Sequence, residues 1–156
     1  MHDFKKVLLA TDFSRCAEIA FEYAYAMAKR CQAELILVHV MCEPVDLRGF
    51  YVPHISFDVL ESEIEAGARA MMTEFCRGRL SDDDNYSTVI ASGVPNEAIL
   101  EQARQLGADV IVVGTHGRSG FDHLLFGSTA ERVVRKSPIP VLTVRCAEQT
   151  EQDCAE

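Results

Sequence analysis

Five short apolar runs, alternating with stretches of helical spacing, restrict this chain more than any other feature in it. The runs cover residues 5–10 (Lys-Lys-Val-Leu-Leu-Ala), 33–40 (Ala-Glu-Leu-Ile-Leu-Val-His-Val), 86–91, 109–113 and 141–145. Between the first two, apolar residues recur at Ala17, Ala20, Phe21, Ala24, Met27 and Ala28; after the second, at Phe57, Leu60, Ile64, Ala68, Met71 and Phe75. Ile99, Leu100, Ala103 and Leu106 follow the third run, and Ala130, Val133 and Val134 the fourth. Steps of three and four place such residues on one helical face, whereas nearly unbroken apolar runs suit strands covered on both faces. The boundaries carry the expected signals. Ser14 is placed to cap the first helix, Pro95 to open the third and Gly107 to stop it, and Ser128 with Glu131 has capping-box spacing. Pro138 and Pro140 end the fourth helix. Alternation of this kind predicts an α/β fold, a single doubly wound five-stranded parallel sheet with right-handed crossovers and helices on both faces.

In such a sheet, ligands bind beyond the carboxyl ends of the strands, where the strand order reverses. The two most polar exits are Thr11-Asp12 after the first strand and residues 114–117 after the fourth, and the order 3-2-1-4-5 makes these strands neighbours. Gly114, Gly117, Gly127 and Ser128 lie on the second exit, a glycine loop that leads into a helix. Glycine lets backbone approach a ligand closely, and a helix N-terminus offers N–H groups and a positive dipole end to an anion. The stretch therefore reads as half of a phosphate-binding site.

Composition narrows the partners. A formal net charge of −9 argues against a broad nucleic-acid surface, yet one nucleotide held by backbone N–H groups remains compatible with it. No apolar run reaches the length of a membrane span and the N-terminus lacks a secretory pattern, so the cytoplasm is the expected location. A chain of 156 residues is expected to form one domain, here residues 1–146, with the polar, acidic residues 147–156 as a disordered tail. The six cysteines include no C-x-x-C pair and read as reduced thiols.

Other residues give weaker signals. Residues 41–56 have no period and contain Pro44, Gly49 and Pro53, a loop that suits a lid or a packed surface flap. His39 lies in an apolar strand and reads as a hydrogen-bonded core residue; His116 and His123 lack metal-ligand spacing, and no zinc site is expected. Residues 117–120 are not a Gly-x-Ser-x-Gly elbow, and there is no Walker-A lysine, so no catalytic residue is assigned.

Together these residues resemble the universal stress protein family. Gly114, Gly117 and Gly127-Ser128 match its nucleotide motif, G-x2-G-x9-G-[S/T], and residues 7–14, 37–40 and 136–144 match its flanking segments. The resemblance spans residues 5–145. It implies a site for ATP, ADP or AMP in which Asp12 and the backbone of Val40 meet the adenine, with Ala10 and Thr11 lining the pocket. Val113, Gly114, Thr115, His116, Gly117 and Arg118 would follow the ribose and first phosphates, and Gly117, Gly127, Ser128 and Thr129 would donate to the phosphates, which would themselves carry any Mg²⁺ or Mn²⁺. The family's habit of pairing through its last strand implies a homodimer joined at residues 141–144. The implied function is a nucleotide-dependent regulator in stress response, with an unknown protein partner. The alternatives are a nucleotide-free interaction module acting on a transporter or an enzyme, and a slow ATPase.

Overall fold

The computed structural model describes residues 3–42, 57–116 and 126–146. Its five strands are β1 (Lys6–Ala10), β2 (Glu34–Met41), β3 (Tyr86–Ser92), β4 (Val110–Gly114) and β5 (Val141–Val144). All neighbours are parallel, in the order β3-β2-β1-β4-β5. Among the described residues four helices connect them: α1 (Arg15–Cys31), α2 (Phe57–Cys76), α3 (Pro95–Leu106) and α4 (Ser128–Lys136).

The central strands explain the layering. Val7 and Leu9 of β1 join Leu35, Leu37, Val110 and Val112 in a core capped by α1 and α2, through Ala20, Phe21, Ala24, Met72 and Phe75. Leu8 and Ala10 point the other way, toward Ile36, Val38, Ile111 and Val113 under Ile99, Ala103, Ala130 and Val133 of α3 and α4. Alternate residues of one strand thus feed two cores, which is why the runs are apolar without a break.

Helix boundaries follow local chemistry. Ser14 caps α1, its hydroxyl oxygen accepting from the Ala17 N–H at 3.3 Å. Pro95 opens α3, and Gly107 closes it at φ 66°, a conformation that costs glycine nothing. On α2 the inward face differs from expectation. Ile64 and Met71 are exposed, whereas Met72 is buried with Ala68, Phe75 and Cys76, at steps of four, three and one. Val134, expected in the core, is likewise exposed, because the inward stripe of α4 runs through Ala130 and Val133.

The acidic turn at residues 81–85, readable as merely solvated, contains a covered staple. The Asp84 carboxylate accepts from Lys29 Nζ at 2.8 Å, Tyr25 Oη at 3.0 Å and the Ser81 N–H and hydroxyl at 2.8 and 2.9 Å, and its side chain is only 5% exposed. Hydrogen bonds from Lys29, then from Ser81, hold its pKa far below the ordinary carboxylate range. A depressed folded-state pKa contributes stability above the unfolded value, near 4, and loses it as pH falls toward the folded value. Asp84→Asn should therefore be less stable than wild type at pH 7, and the gap should begin to close below about pH 4. Urea midpoints for both proteins from neutral to acid pH check this; a gap independent of pH would remove the titration from the account.

Candidate functional site

The exit of β1 is a turn fixed by its own side chains. The Thr11 N–H donates to Val38 O at 2.9 Å, which carries the β1–β2 ladder one residue beyond the strand. Thr11 Oγ1 accepts from the Phe13 N–H at 3.1 Å, and Asp12 Oδ1 from the Ser14 N–H at 3.0 Å. Phe13 has φ 63°, the left-handed region that costs a residue with a side chain about 1–2 kcal/mol. Its ring is held against His39 at 4.4 Å and Phe75 at 5.6 Å between centroids. His39 does more than pack. Its Nδ1 lies 2.8 Å from Thr11 O, and since a carbonyl oxygen only accepts, Nδ1 carries the hydrogen. The histidine of β2 thus braces the turn that presents Asp12.

The exit of β4 lies beside it because Ala10 and Val113 are register partners. The Thr115 N–H donates to Val144 O at 2.9 Å, and its buried hydroxyl lies 3.0 Å from His116 Nδ1. The chain then returns over this exit, where the Gly127 N–H donates to Thr115 O at 2.6 Å. Both described glycines of the motif lie where backbone contact leaves little room for a Cβ. A Cβ on Gly127 would stand 3.2 Å from Thr115 O, and one on Gly114 would stand 3.2 Å from Cys16 O and 3.3 Å from Cys16 Cβ at the start of α1.

Two expectations change as a result. Gly127 does not offer its N–H to a ligand, since Thr115 already accepts it. Ser128 is the first residue of α4 rather than its cap: Gly127 occupies the cap position without a side-chain bond, and the Glu131 carboxylate pairs with Arg135 at 2.8 Å. Helix α4 therefore begins with no capping side chain from its cap residue, and its Ser128, Thr129 and Ala130 N–H groups precede the first helical bond, Glu131 N–H to Gly127 O.

Between the two exits lies a cavity of about 290 Å³. Ala10, Thr11, Asp12 and Val40 line one side, and Val113, Gly114, Thr115 and His116 the other; Gly127, Ser128 and Thr129 close the end at α4. The sequence reading missed Ala17, Val38, Cys42, Pro95, Ile99 and Ala130, which also line it. Pro95 and Ile99 belong to α3, which packs beside α4 on the same face of the sheet; a reading confined to two strand exits overlooks that third wall. Gly117 and Arg118, also expected here, lie outside the described residues, as do residues 43–56 of the expected lid or flap, His123 and the tail from 147 onward.

Chemically the cavity combines apolar walls with a few polar groups. Val38, Val40 and Ile99 suit a flat aromatic ring, and Asp12 and the first residues of α4, Ser128 and Thr129, are among the residues that line it. No lysine or arginine is among the described lining residues, so α4 supplies the positive potential there. Among the described residues no three His, Cys, Asp or Glu side chains are grouped to hold a metal ion, and no helix is long and apolar enough to cross a membrane.

Comparison with known proteins gives concordant results. The model of the Universal stress protein family matches residues 3–145. Universal stress protein MJ0577 of Methanocaldococcus jannaschii is 30% identical over 154 residues, covering 91% of this chain and 95% of that protein. Universal stress protein YxiE of Bacillus subtilis is 33% identical, covering 91% and 99%. The solved structure of MJ0577 superposes with a TM-score of 0.81 at 31% identity, over 95% of this chain and all of that one. Two more distant universal stress proteins, solved in complex with cAMP and, from Archaeoglobus fulgidus, with dAMP, share the fold at 24% and 20% identity with TM-scores of 0.58 and 0.57.

Proposed function

The chain belongs to the universal stress protein family, and from that premise we propose that it binds an adenine nucleotide, ATP or its ADP and AMP relatives, as a cytoplasmic regulator in stress response rather than as an enzyme. The observation that carries this reading is the cavity itself, which lies between two strand exits and is lined by apolar residues, by Asp12 and by the first residues of α4. In this reading the adenine enters beside Val38 and Val40, within reach of Asp12, and Thr11 and Gly114 flank the ribose. The phosphates run toward Ser128 and Thr129, where first-turn N–H groups and hydroxyls meet their charge. Phosphate oxygens would carry any Mg²⁺ or Mn²⁺. Gly117 and Arg118 belong to the same proposed site on the strength of the motif. Distant relatives solved with cAMP and dAMP establish only the fold, so the assignment rests on this chain's own residues. A homodimer through β5 is part of the proposal: among the described residues this edge strand bonds only to β4 in the sheet, and Val141 and Leu142 are only half-buried.

Asp12 supplies a test. Asp12→Ala should weaken ATP and adenosine alike by about tenfold, roughly 1.4 kcal/mol, and leave the affinity for inorganic triphosphate unchanged. Competition binding with the three ligands reads this directly, and equal losses for all three would contradict adenine recognition by Asp12.

One observation favours a second reading, a nucleotide-free interaction module of the same fold. Gly114 and Gly127 both sit in close backbone packing that disfavours a Cβ, so these motif glycines have a packing reason even in a protein that binds nothing. Nucleotide carried through purification separates the two readings.

A further inference from the structure

Two of the cysteines meet across the fold. Cys16, the second residue of α1, is buried, and Cys146, two residues beyond β5, is half-buried; both are thiols. Their side chains interact with one another. The backbone explains the meeting. Gly114 at the end of β4 lies so close to α1 that a Cβ on it would stand 3.3 Å from Cys16 Cβ. On its other side, Val144 of β5 is its register partner, and Val144 O accepts the Thr115 N–H at 2.9 Å. The first turn of α1 and the exit of β5 are thus both pressed against the end of β4. No feature of the proposed nucleotide site uses either sulfur, and the inference stands independently of that reading.

We propose that Cys16 and Cys146 form a reversible dithiol–disulfide pair, a modification site that ties the end of the edge strand to the helix behind the cavity wall. A peroxide is the oxidant. The Cys146 sulfur, as thiolate, attacks one peroxide oxygen, the O–O bond breaks, and the leaving oxygen takes up protons and departs as water. The Cys16 sulfur then attacks the sulfenic sulfur, the S–S bond forms, the S–O bond breaks, and the second water leaves. Two thiols are oxidised and one peroxide is reduced to two waters. Burial, followed by the adjacent Cys16 thiol, pushes the Cys146 thiol above its ordinary range, while Arg15 pulls it back. A smaller thiolate fraction slows the first step relative to a fully exposed thiol.

The experiment uses the full reduced chain. It is exposed to hydrogen peroxide, remaining thiols are blocked, and the digest is read by mass spectrometry. Most chains should yield a peptide linking Cys16 to Cys146 that dithiothreitol releases. Cys42→Ser should yield it equally, and Cys146→Ser, a small exchange at a half-buried site, should not. Because Cys16 is buried, no step relies on a Cys16 variant folding. Recovery of both peptides from peroxide-treated wild type as blocked thiols would overturn the proposal, as would Cys146 linked to a different cysteine or oxidised to sulfinic acid without the Cys16 link.

Discussion

Thr129→Glu is expected to lower nucleotide affinity about 100-fold, close to 3 kcal/mol, while leaving the fold at least as stable as wild type. Thr129 is the second residue of α4 and lines the cavity, where the proposal puts the phosphates. A carboxylate there would stand beside phosphate charge with no lysine or arginine among the described lining residues to offset it. Toward the helix alone the same charge is favourable, because the first turn of α4 carries the positive end of the dipole. The two effects have opposite signs, which separates loss of binding from loss of structure. Isothermal titration with ATP, paired with a thermal melt, measures both. Undiminished affinity would move the phosphates away from α4, and a large fall in melting temperature would mean that Thr129 serves the packing instead.

Gly114→Val is expected to destabilise the protein by about 2–3 kcal/mol, whichever functional reading holds. The new Cβ would meet the carbonyl oxygen and carbon of Cys16 at 3.2 and 3.3 Å, and two further methyl groups need space in the same crossing. Those atoms belong to the first turn of α1, whose neighbours Cys16 and Ala17 are buried, so relief requires the helix to shift as a body. Such a shift would also move Ala17, which lines the cavity. For a domain of this size the loss corresponds to a melting temperature lower by on the order of 5 °C or more. Urea denaturation gives the free energy; an unchanged midpoint would mean that α1 yields easily and that this wall of the cavity is soft.

Much of this architecture was legible in the residues. The five apolar runs anticipate every strand, the signals at Ser14, Pro95 and Gly107 anticipate the start of α1 and both ends of α3, and the need for neighbouring first and fourth strand exits anticipates the order β3-β2-β1-β4-β5. Errors arose where periodicity leaves a choice between adjacent faces. Met71 and Met72 both fit a helical stripe, and only the folded core, which holds Met72 with Phe21 and Phe75, selects Met72. The same limit explains why Val134 was expected inside. At the site, spacing identified the glycines but not the reason for them. That Gly114 accommodates Cys16, and that Gly127 gives its N–H to Thr115, follow from a helix and a returning loop that meet only in the folded chain. Nor does spacing show a histidine on β2 holding the turn before α1, or Asp84 stapled to Tyr25 and Lys29 from far along the chain.

The central claim is that the cavity between the β1 and β4 exits holds an adenine nucleotide, and calorimetric titration of nucleotide-stripped protein with ATP and with AMP tests it most directly. The account predicts saturable binding at micromolar concentration or tighter, worth roughly 8 kcal/mol or more, and its loss in Thr129→Glu. Stripped, folded wild-type protein that gives no saturable binding with either nucleotide would contradict the claim and leave the glycine motif as packing alone.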